Sequence, residues 1–273
     1  MAVGVVRILS DLHYRDRGGL QRLEALQPLL DGVSQVVLNG DTLEARHAGS
    51  RELLQEVREF FGRVSPSVTF IAGNHDPDIS PLLELQLANN LVWITHGDIF
   101  WPDVAPWSRY AQCMKDLIAE ERNRRGITES SGGLGDLLAS HRVANLRLGA
   151  RYDPSNQSAS ARFMQLTRTL LPPTQLLRMA KAWRQAPDRA FGWARKHRPQ
   201  AKFVLFGHIH APGIWKDPST QVVAINTGSF EWPLRGLCVD VSDTALIVRR
   251  VIRRRDHYLA GPPCATFPLA EGR

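Results

Sequence analysis

The sequence predicts an α/β fold whose core is interrupted by a helical insertion. Residues 1–96 alternate short apolar runs, typical of buried strands, with segments whose leucines recur at helical spacing. Residues 101–200 carry helical patterns, and strand-like runs return after residue 201. With 273 residues, of which 43% are apolar, the chain has ample material for such a core.

The amino-terminal segment has the order of βαβ units, which favours a mainly parallel sheet. Its strands are short continuous apolar runs, as expected where both faces of a sheet are buried. We place these strands at residues 3–9, 35–38, 68–72 and 91–95. Helical spacing of apolar residues, with Ser50 as an N-cap of the second helix, places helices at residues 20–30, 50–64 and 81–87.

A helical insertion separates this segment from the remaining strands. Breaks at glycine and proline divide it into helices at residues 109–125, 134–149, 159–170, 174–185 and 188–196. The strands that follow lie close together along the chain and should pair antiparallel, at residues 201–206, 222–225, 237–241 and 245–251. We therefore expect a core of residues 1–100 and 201–273 and a removable helical cap of residues 101–200.

Composition excludes several classes of protein. The amino-terminal apolar run, Val3 to Val6, is far shorter than the roughly 20 residues of a membrane span. It is also too short for the apolar region of a signal peptide, so we expect neither segment. Three widely spaced cysteines, odd in number, indicate reduced thiols and a cytoplasmic protein.

The net charge of +7 is concentrated in the insertion, where residues 101–200 hold 17 basic and 8 acidic side chains. A basic surface favours anionic partners: a phosphorylated substrate, nucleic acid, or an anionic membrane to which the protein would be peripheral. A solvated arginine-rich helical surface explains the same excess, and ordinary helix packing explains the apolar residues of the insertion.

Five polar clusters follow predicted strands, and they hold five of the nine histidines. In open α/β sheets the carboxyl ends of strands meet at one crevice, so we expect these clusters to converge. Glycines within them allow tight turns and close approach of the backbone. The clusters are Asp11-Leu12-His13, Gly40-Asp41, Gly73-Asn74-His75-Asp76, His96-Gly97-Asp98 and Gly207-His208-Ile209-His210.

The side chains of these clusters are typical ligands of metal ions. Imidazole nitrogens and carboxylates without thiolates suit borderline metals such as Mn²⁺, Fe and Zn²⁺. Seven candidate ligands exceed the roughly four or five that one ion takes, which predicts two ions sharing a carboxylate. The candidates are Asp11, His13, Asp41, Asn74, His96, His208 and His210.

The chain resembles the calcineurin-like metallophosphoesterase superfamily in an ordered series of five motifs. They are Asp11-x-His13, Gly40-Asp41-x-x-Glu44, Gly73-Asn74-His75-Asp76, His96-Gly97-Asp98 and Gly207-His208-x-His210. The resemblance covers residues 3–98 and 201–251 and leaves the basic insertion outside. It implies the family fold, mixed β-sheets packed as a sandwich and flanked by helices. It also implies a hydrolase of phosphate ester or pyrophosphate bonds.

By this resemblance, Asp41 would bridge two divalent metal ions, with Mn²⁺ the first expectation and Fe, Zn²⁺ or Mg²⁺ as alternatives. One ion would be held by Asp11, His13, Asp41 and His210, and the other by Asp41, Asn74, His96 and His208. A hydroxide bridging the ions would attack phosphorus. His75 would protonate the leaving oxygen as general acid, oriented by Glu44, while Asp76 and Asp98 would orient ligands or backbone.

The resemblance leaves the substrate open. The His96-Gly97-Asp98 motif before an arginine-rich insertion is similar to the bacterial UDP-2,3-diacylglucosamine pyrophosphohydrolases of lipid A synthesis. His75 stands where those enzymes usually have arginine. A nuclease, a cyclic-nucleotide phosphodiesterase and a non-catalytic binding scaffold are the alternatives. Arg15 and Arg17 lie near a motif loop and are candidates for contact with a substrate phosphate.

Overall fold

Eleven β-strands, arranged in two sheets, are formed by the part of the chain that the structure describes. This computed structural model describes residues 4–16, 18–44, 50–65, 67–128, 132–151 and 173–269, so Arg17 and the predicted helix at residues 159–170 lie outside it. The strands are β1 (Val6–Leu9), β2 (Gln35–Asn39), β3 (Val68–Ile71), β4 (Glu84–Leu87), β5 (Val92–Thr95), β6 (Phe203–Phe206), β7 (Gly213–Lys216), β8 (Val223–Asn226), β9 (Leu237–Val241), β10 (Ala245–Arg253) and β11 (Tyr258–Pro268).

Both sheets are mixed, and each has a parallel centre. The first has the strand order β11-β10-β9-β1-β2-β3, and the second has the order β4-β5-β6-β8-β7. β1, β2 and β3 pair in parallel, as do β5, β6 and β8. The other pairings among the described strands are antiparallel. The parallel strands of each sheet therefore end at a common edge.

The two sheets pack face to face through alternate side chains of their strands. Ile8 and Val37 of the first sheet share a buried cluster with Ile94 and Leu205 of the second. Side chains that alternate with these point to the outer faces, which helices cover. Because both faces of each sheet are buried, the central strands are mostly apolar, and the buried Arg7 of β1 is paired with Asp240 of β9 at 2.7 Å.

Helices cover the outer faces of both sheets. They are a 3₁₀ helix (Leu23–Leu26), α1 (Gln27–Leu30), α2 (Ser50–Val64), a second 3₁₀ helix (Asp98–Phe100), α3 (Ala111–Arg124), α4 (Leu134–Arg151) and α5 (Pro173–His197). Phe60 and Phe61 of α2 pack on the first sheet. Leu138 of α4 and Ala186 of α5 share a buried cluster with Val204 of β6.

The helices of the insertion are therefore packed into the core of the second sheet. Leu134 and Leu137 of α4 and Phe191 of α5 belong to the same cluster. The division of the chain at residues 100 and 201 stays a prediction.

The predicted helix at residues 81–87 is wrong, because residues Glu84–Leu87 form β4, which pairs antiparallel with β5. Leu85 and Leu87 pack in the inter-sheet core and alternate with polar residues, which is the period of a strand. The three residues that close the hairpin have φ between 50° and 69°, a conformation that asparagine tolerates well; they are Ala88, Asn89 and Asn90.

Further expectations need correction. The strands after the insertion are not uniformly antiparallel, because β6 pairs in parallel with both β5 and β8. The two helices predicted on either side of Pro187 are one helix, α5, whose buried alanines keep it continuous against the sheet. Residues 20–30 contain a 3₁₀ helix followed by α1, rather than one helix. β7 and β11 were not predicted from the sequence. β11 contains Pro262 and Pro263, which are unusual in a strand but are tolerated here because β11 lies at the edge of its sheet.

Two predictions made from composition concern the redox state of the cysteines and the absence of a membrane span. Cys113, Cys238 and Cys264 carry free thiols, as predicted. Within the described ranges, no helix combines the length and the apolar character needed to cross a bilayer.

Candidate metal centre

The seven predicted ligands gather at one edge of the sandwich, directly after strands of both sheets. The backbone N–H of His208, after β6, donates to Asp11 Oδ1 (3.0 Å), after β1, and so joins the second sheet to the first. The backbone N–H of Asp11 donates to the carbonyl of Gly40 (3.1 Å), which links the loops after β1 and β2. The structure thus brings together Asp11, His13, Asp41, Asn74, His96, His208 and His210.

Five of these ligands have left-handed backbone conformations. Their φ angles lie between 45° and 70°, and the residues are Asp11, His13, Asp41, His208 and His210. A residue with a β-carbon held in this region costs roughly 1–3 kcal/mol, so the surrounding loops must impose it. Strain concentrated in this way marks functional sites.

Glycines leave room for the clustered carboxylates. A β-carbon on Gly73 would collide with the side chain of Asp41. One on Gly207 would collide with the carboxylate of Asp11. The motif glycines at these two positions are therefore required by the packing of the ligands themselves.

The first group of ligands surrounds the carboxylate of Asp11. Asp11, His13, Asp41 and His210 each place a ligand atom within 4.8 Å of the others. His210 Nε2 lies 3.3 Å from Asp11 Oδ1 and 3.1 Å from His13 Nε2. His13 Nε2 lies 4.0 Å from Asp41 Oδ2.

The second group shares Asp41 with the first. Asp41, His96 and His208 also place ligand atoms within 4.8 Å of one another. His96 Nε2 lies 3.2 Å from Asp41 Oδ2 and 3.0 Å from Asn74 Oδ1. Asp41 thus belongs to both groups, which is the place of a bridging carboxylate.

Hydrogen bonds on the far side of two imidazoles decide which nitrogen faces the cluster. His96 Nδ1–H donates to the carbonyl of Asn39 (3.1 Å), and His208 Nε2–H donates to the carbonyl of Val104 (2.8 Å). A carbonyl can only accept, so in the neutral rings His96 Nε2 and His208 Nδ1 carry the lone pairs that bind a cation. Partners of this kind orient metal-binding histidines.

Burial and neighbouring charges change the titration of the ligands. Burial opposes ionisation of Asp41, but the charges of His96, His75 and His13 together with a hydrogen bond to His96 outweigh it and hold the pKa of Asp41 well below its usual value. Burial also opposes the charged form of His210, yet hydrogen bonds to Asp11 and Glu231 raise the pKa of His210 to about 10. Asp41 is therefore ionised at neutral pH, as a ligand of a cation must be.

His75 lies beside the ligands and is paired with a carboxylate. His75 Nδ1 lies 2.5 Å from Glu44 Oε2, and His75 Nε2 lies 4.0 Å from Asp41 Oδ2. The His75 side chain is 28% exposed, whereas that of Asp41 is 1% exposed. Glu44 thus holds Nδ1 and leaves Nε2 as the nitrogen directed toward the cluster.

Two further motif carboxylates hold the loops in place. Asp76, fully buried, accepts hydrogen bonds from the backbone N–H groups of Gly73 (2.9 Å), Asp41 (3.0 Å) and Thr42 (2.7 Å). These bonds tie the loop after β2 to the loop after β3. Asp98 accepts a hydrogen bond from Asn145 of α4 (3.4 Å).

The donor set fits divalent metal ions. Imidazole nitrogens, carboxylates and the amide oxygen of Asn74 are ligands of borderline metals. The Nε2 atoms of His13 and His210 face each other at 3.1 Å beside the buried carboxylate of Asp11, an arrangement that a shared cation satisfies. Asp11 and His13 are at most 1% exposed, so a cation bound to them would be largely shielded from water.

Arg15, one of the two predicted substrate arginines, contacts Tyr14 and Glu56 rather than the predicted ligands. Arg15 Nε donates to the hydroxyl of Tyr14 (3.1 Å), and its guanidinium lies 3.6 Å from Glu56 Oε1. Arg17 lies outside the described residues. Contact of either arginine with substrate stays a prediction.

Glu231, Val104 and Trp183 contact the ligand-bearing loops, although no motif points to them. Glu231 Oε2 accepts a hydrogen bond from His210 Nδ1 (3.0 Å), and Trp183 Nε1 donates to the carbonyl of Ile209 (2.9 Å). Glu231 follows the turn after β8. Val104 and Trp183 belong to the insertion, where helical spacing carries no sign of a site.

The chain is similar to several solved structures at low sequence identity. A dimetal phosphatase from Danio rerio is 15% identical, with 94% of this chain and 98% of that chain covered and a TM-score of 0.46. A conserved protein from Streptococcus pneumoniae, described as a predicted phosphoesterase, is 15% identical, with 98% and 99% covered and a TM-score of 0.42. Vps29 from Entamoeba histolytica, complexed with zinc, is 10% identical, with 97% and 99% covered and a TM-score of 0.46.

A family model also matches most of the chain. None of the curated proteins searched matches the sequence. The family model described as calcineurin-like phosphoesterase matches residues 5–212, a span that contains both groups of ligands and His75. The mixed sheets with flanking helices confirm the fold predicted from the motifs. The chain belongs to the calcineurin-like phosphoesterase family.

Proposed function

We propose that this protein is a dinuclear metallophosphoesterase that hydrolyses a phosphate ester or pyrophosphate bond. The observation that carries the proposal is the meeting of two groups of ligand atoms at one carboxylate, that of Asp41. One ion would be held by Asp11, His13, Asp41 and His210, and the other by Asp41, Asn74, His96 and His208. Family membership supports the hydrolase class.

The chemistry of the ligands supports Mn²⁺ as the first candidate, with Fe, Zn²⁺ or Mg²⁺ as alternatives. Two divalent cations bound at this edge would supply Lewis acidity toward a phosphoryl group and lower the pKa of bound water. The chain contributes ionised Asp41 and imidazoles whose ring orientations are fixed by backbone carbonyls.

His75 would act as the general acid toward the leaving oxygen. Glu44 accepts the Nδ1 proton of His75, so Nε2 is the nitrogen that exchanges a proton with a substrate. Partial exposure of the His75 side chain leaves it accessible to a substrate. A leaving alkoxide needs such a proton.

Asp41→Asn tests the proposal, because it removes a ligand charge and keeps the shape of the side chain. We expect metal occupancy to fall and hydrolysis to slow at least about 100-fold. Asp243→Asn, at an exposed aspartate in the turn after β9, is the matched control and should change neither. Metal content by mass spectrometry and phosphate release are the measurements, and full activity of Asp41→Asn would contradict the dinuclear site.

A panel of mono-, di- and pyrophosphate esters, tested with Mn²⁺-loaded protein, would identify the substrate class. The alternatives to be separated are a UDP-2,3-diacylglucosamine pyrophosphohydrolase-like enzyme, a nuclease and a cyclic-nucleotide phosphodiesterase. Metal binding without turnover of any ester would favour a non-catalytic binding scaffold.

A second proposal is that α5 contacts an anionic membrane surface, which would make a cytoplasmic protein peripheral to the membrane. Helices that combine exposed apolar and basic side chains are typical of membrane interfaces. The amino-terminal half of α5 exposes three large apolar and three basic residues, namely Leu176, Leu177, Trp183, Arg178, Lys181 and Arg184.

Sedimentation with lipid vesicles tests this contact. We expect binding to vesicles rich in phosphatidylglycerol, weakened by salt, and little binding to phosphatidylcholine alone. Leu177→Glu should reduce binding, while Leu146→Glu, at an exposed leucine of α4, should not. Equal sedimentation with both kinds of vesicle, or in both variants, would contradict the proposal.

A further inference from the structure

Side chains of the insertion reach the backbone of loops that carry predicted ligands. Trp183 Nε1, on α5, donates to the carbonyl of Ile209, the residue between the two histidines of the last motif (2.9 Å). Arg142 Nε, on α4, donates to the carbonyl of Pro77, just after the motif of the third loop (2.6 Å). The insertion therefore contacts the loops after β6 and β3.

The segment after β5 forms hydrogen bonds both to a predicted ligand and to helix α5. The carbonyl of Val104, itself buried, accepts the Nε2 proton of His208 (2.8 Å) and so directs Nδ1 of that ring toward the ligands. Arg189 of α5 donates to the carbonyl of Phe100 (2.8 Å), in the stretch that leads from β5 to Val104. The ring orientation of one predicted ligand thus depends on backbone outside the family motifs.

The segment held by Trp183 is strained. His208 and His210 have φ angles of 70° and 56°, and Ile209 between them is 2% exposed. Without a donor on the carbonyl of Ile209, a small rotation of the backbone would relax the segment and turn both imidazoles. A hydrogen bond from a rigid indole opposes that rotation.

We infer that the helical insertion is a structural part of the metal centre, and that Trp183 is a positioning residue for His208 and His210. The inference rests on the proposed metal site and adds residues that tune it without touching a ligand atom. It makes the metal affinity of the family motifs dependent on α4 and α5.

Trp183→Phe is the central test, because it removes the N–H donor and keeps an aromatic ring at a position that is 37% exposed. Trp193→Phe is the matched control on the same helix, where the Trp193 ring stacks on His197. We expect Trp183→Phe to bind Mn²⁺ about tenfold more weakly than wild type. That change corresponds to about 1.4 kcal/mol less stabilisation by saturating metal. The metal-free melting temperatures of the two variants should agree.

Calorimetric titration with Mn²⁺ and melting curves with and without Mn²⁺ are the measurements. Wild-type affinity in Trp183→Phe would overturn the inference and leave the proposed function standing. A wild-type protein that binds no Mn²⁺, Zn²⁺ or Fe²⁺ would overturn both. If Trp183→Phe lowers the metal-free melting temperature, the same titration of Arg142→Gln decides. Its control is Arg147→Gln, at a surface arginine paired with Glu120. Equal Mn²⁺ affinities of the Arg142→Gln and Arg147→Gln proteins would overturn the inference.

Discussion

The imidazoles of the candidate metal centre differ in the partner that each ring has on the side away from the cluster. Carbonyls hold His96 and His208, whereas a carboxylate holds His75. A carbonyl fixes one tautomer and leaves the other nitrogen as a ligand. A carboxylate orients the ring and also stabilises its protonated form during proton transfer. The partner alone does not set the role, because Glu231 holds Nδ1 of the proposed ligand His210 in the same way (3.0 Å). His210 differs from His75 in that its Nε2 lies 3.3 Å from Asp11 Oδ1, within the first group of ligands.

His75→Gln should slow hydrolysis of an ester with a poor leaving group by about 10²–10⁴-fold, because no proton reaches the leaving oxygen. The loss should shrink on a nitrophenyl ester, whose leaving group needs no proton. His257→Gln is the matched control, since His257 pairs with Asp256 at 2.7 Å on the surface. Steady-state rates on both esters check this, and equal losses would mean that His75 positions the substrate instead.

His141 should make the fold sensitive to acid. His141 is buried in α4, and burial with the charges of Arg122 and His208 lowers its pKa to about 3. Below about pH 6.5 the unfolded chain binds a proton that the folded protein does not, so the free energy of unfolding falls as pH drops toward 3. His141→Gln should remove about 1–2 kcal/mol of this fall between pH 6.5 and 5.

Urea unfolding in the presence of a chelator, at pH 6.5 and at pH 5, measures this difference. Leu146→Gln, at an exposed and non-titrating position of the same helix, should keep the pH dependence of the wild type. Parallel pH dependence of wild type and His141→Gln would show that His141 does not contribute.

Helices and strands with a clear apolar periodicity of their own could be predicted from the sequence. Elements whose conformation or pairing depends on neighbouring strands could not. The predicted strand at residues 237–241 and helix at residues 50–64 match β9 and α2 because each has an apolar pattern of its own. β4 was mistaken for a helix because several leucines in a short stretch satisfy both periods. The parallel pairing of β6 with β8 depends on the crossover through β7, which the sequence does not reveal.

The loops that join the elements are most sensitive to substitution at their glycines. Gly207→Ala should weaken metal binding by about tenfold or more, since its β-carbon would collide with the carboxylate of Asp11 and displace a ligand. Gly192→Ala is the control, because a β-carbon there meets nothing within 4 Å and alanine favours α5 by about 1 kcal/mol. Metal titration of both proteins checks this; unchanged affinity in Gly207→Ala would show that the loop can yield.

At the scale of the whole molecule, the motifs predicted that polar side chains from several loops would meet at one edge, but the contacts of the insertion with those loops were not predicted. Residues after strand ends could be predicted to converge because parallel strands end at a common edge. The contacts of Val104 and Trp183 could not be predicted, since helical spacing shows which face is buried and not what lies against it. The proposed metal centre therefore draws on both the conventional motifs and the inserted helices.

Deleting residues 105–198 and joining the ends by a short Gly/Ser linker should give an insoluble or unfolded protein. The deletion would expose the face of the second sheet on which Leu138, Ala186 and Ala190 pack. Solubility and circular dichroism are the measurements, and a two-residue substitution, Arg178→Gln with Lys181→Gln, is the control that leaves the packing intact. A soluble shortened protein with native metal affinity would show that the insertion is a separate cap.

The most direct test of the dinuclear centre is a Mn²⁺ titration of the metal-free wild type followed by electron paramagnetic resonance. Two ions that share Asp41 would lie about 3.5–4 Å apart, close enough for their spins to couple. The account predicts two Mn²⁺ per chain and a spin-coupled spectrum. A single bound ion, or two ions with the uncoupled spectrum of isolated Mn²⁺, would contradict it.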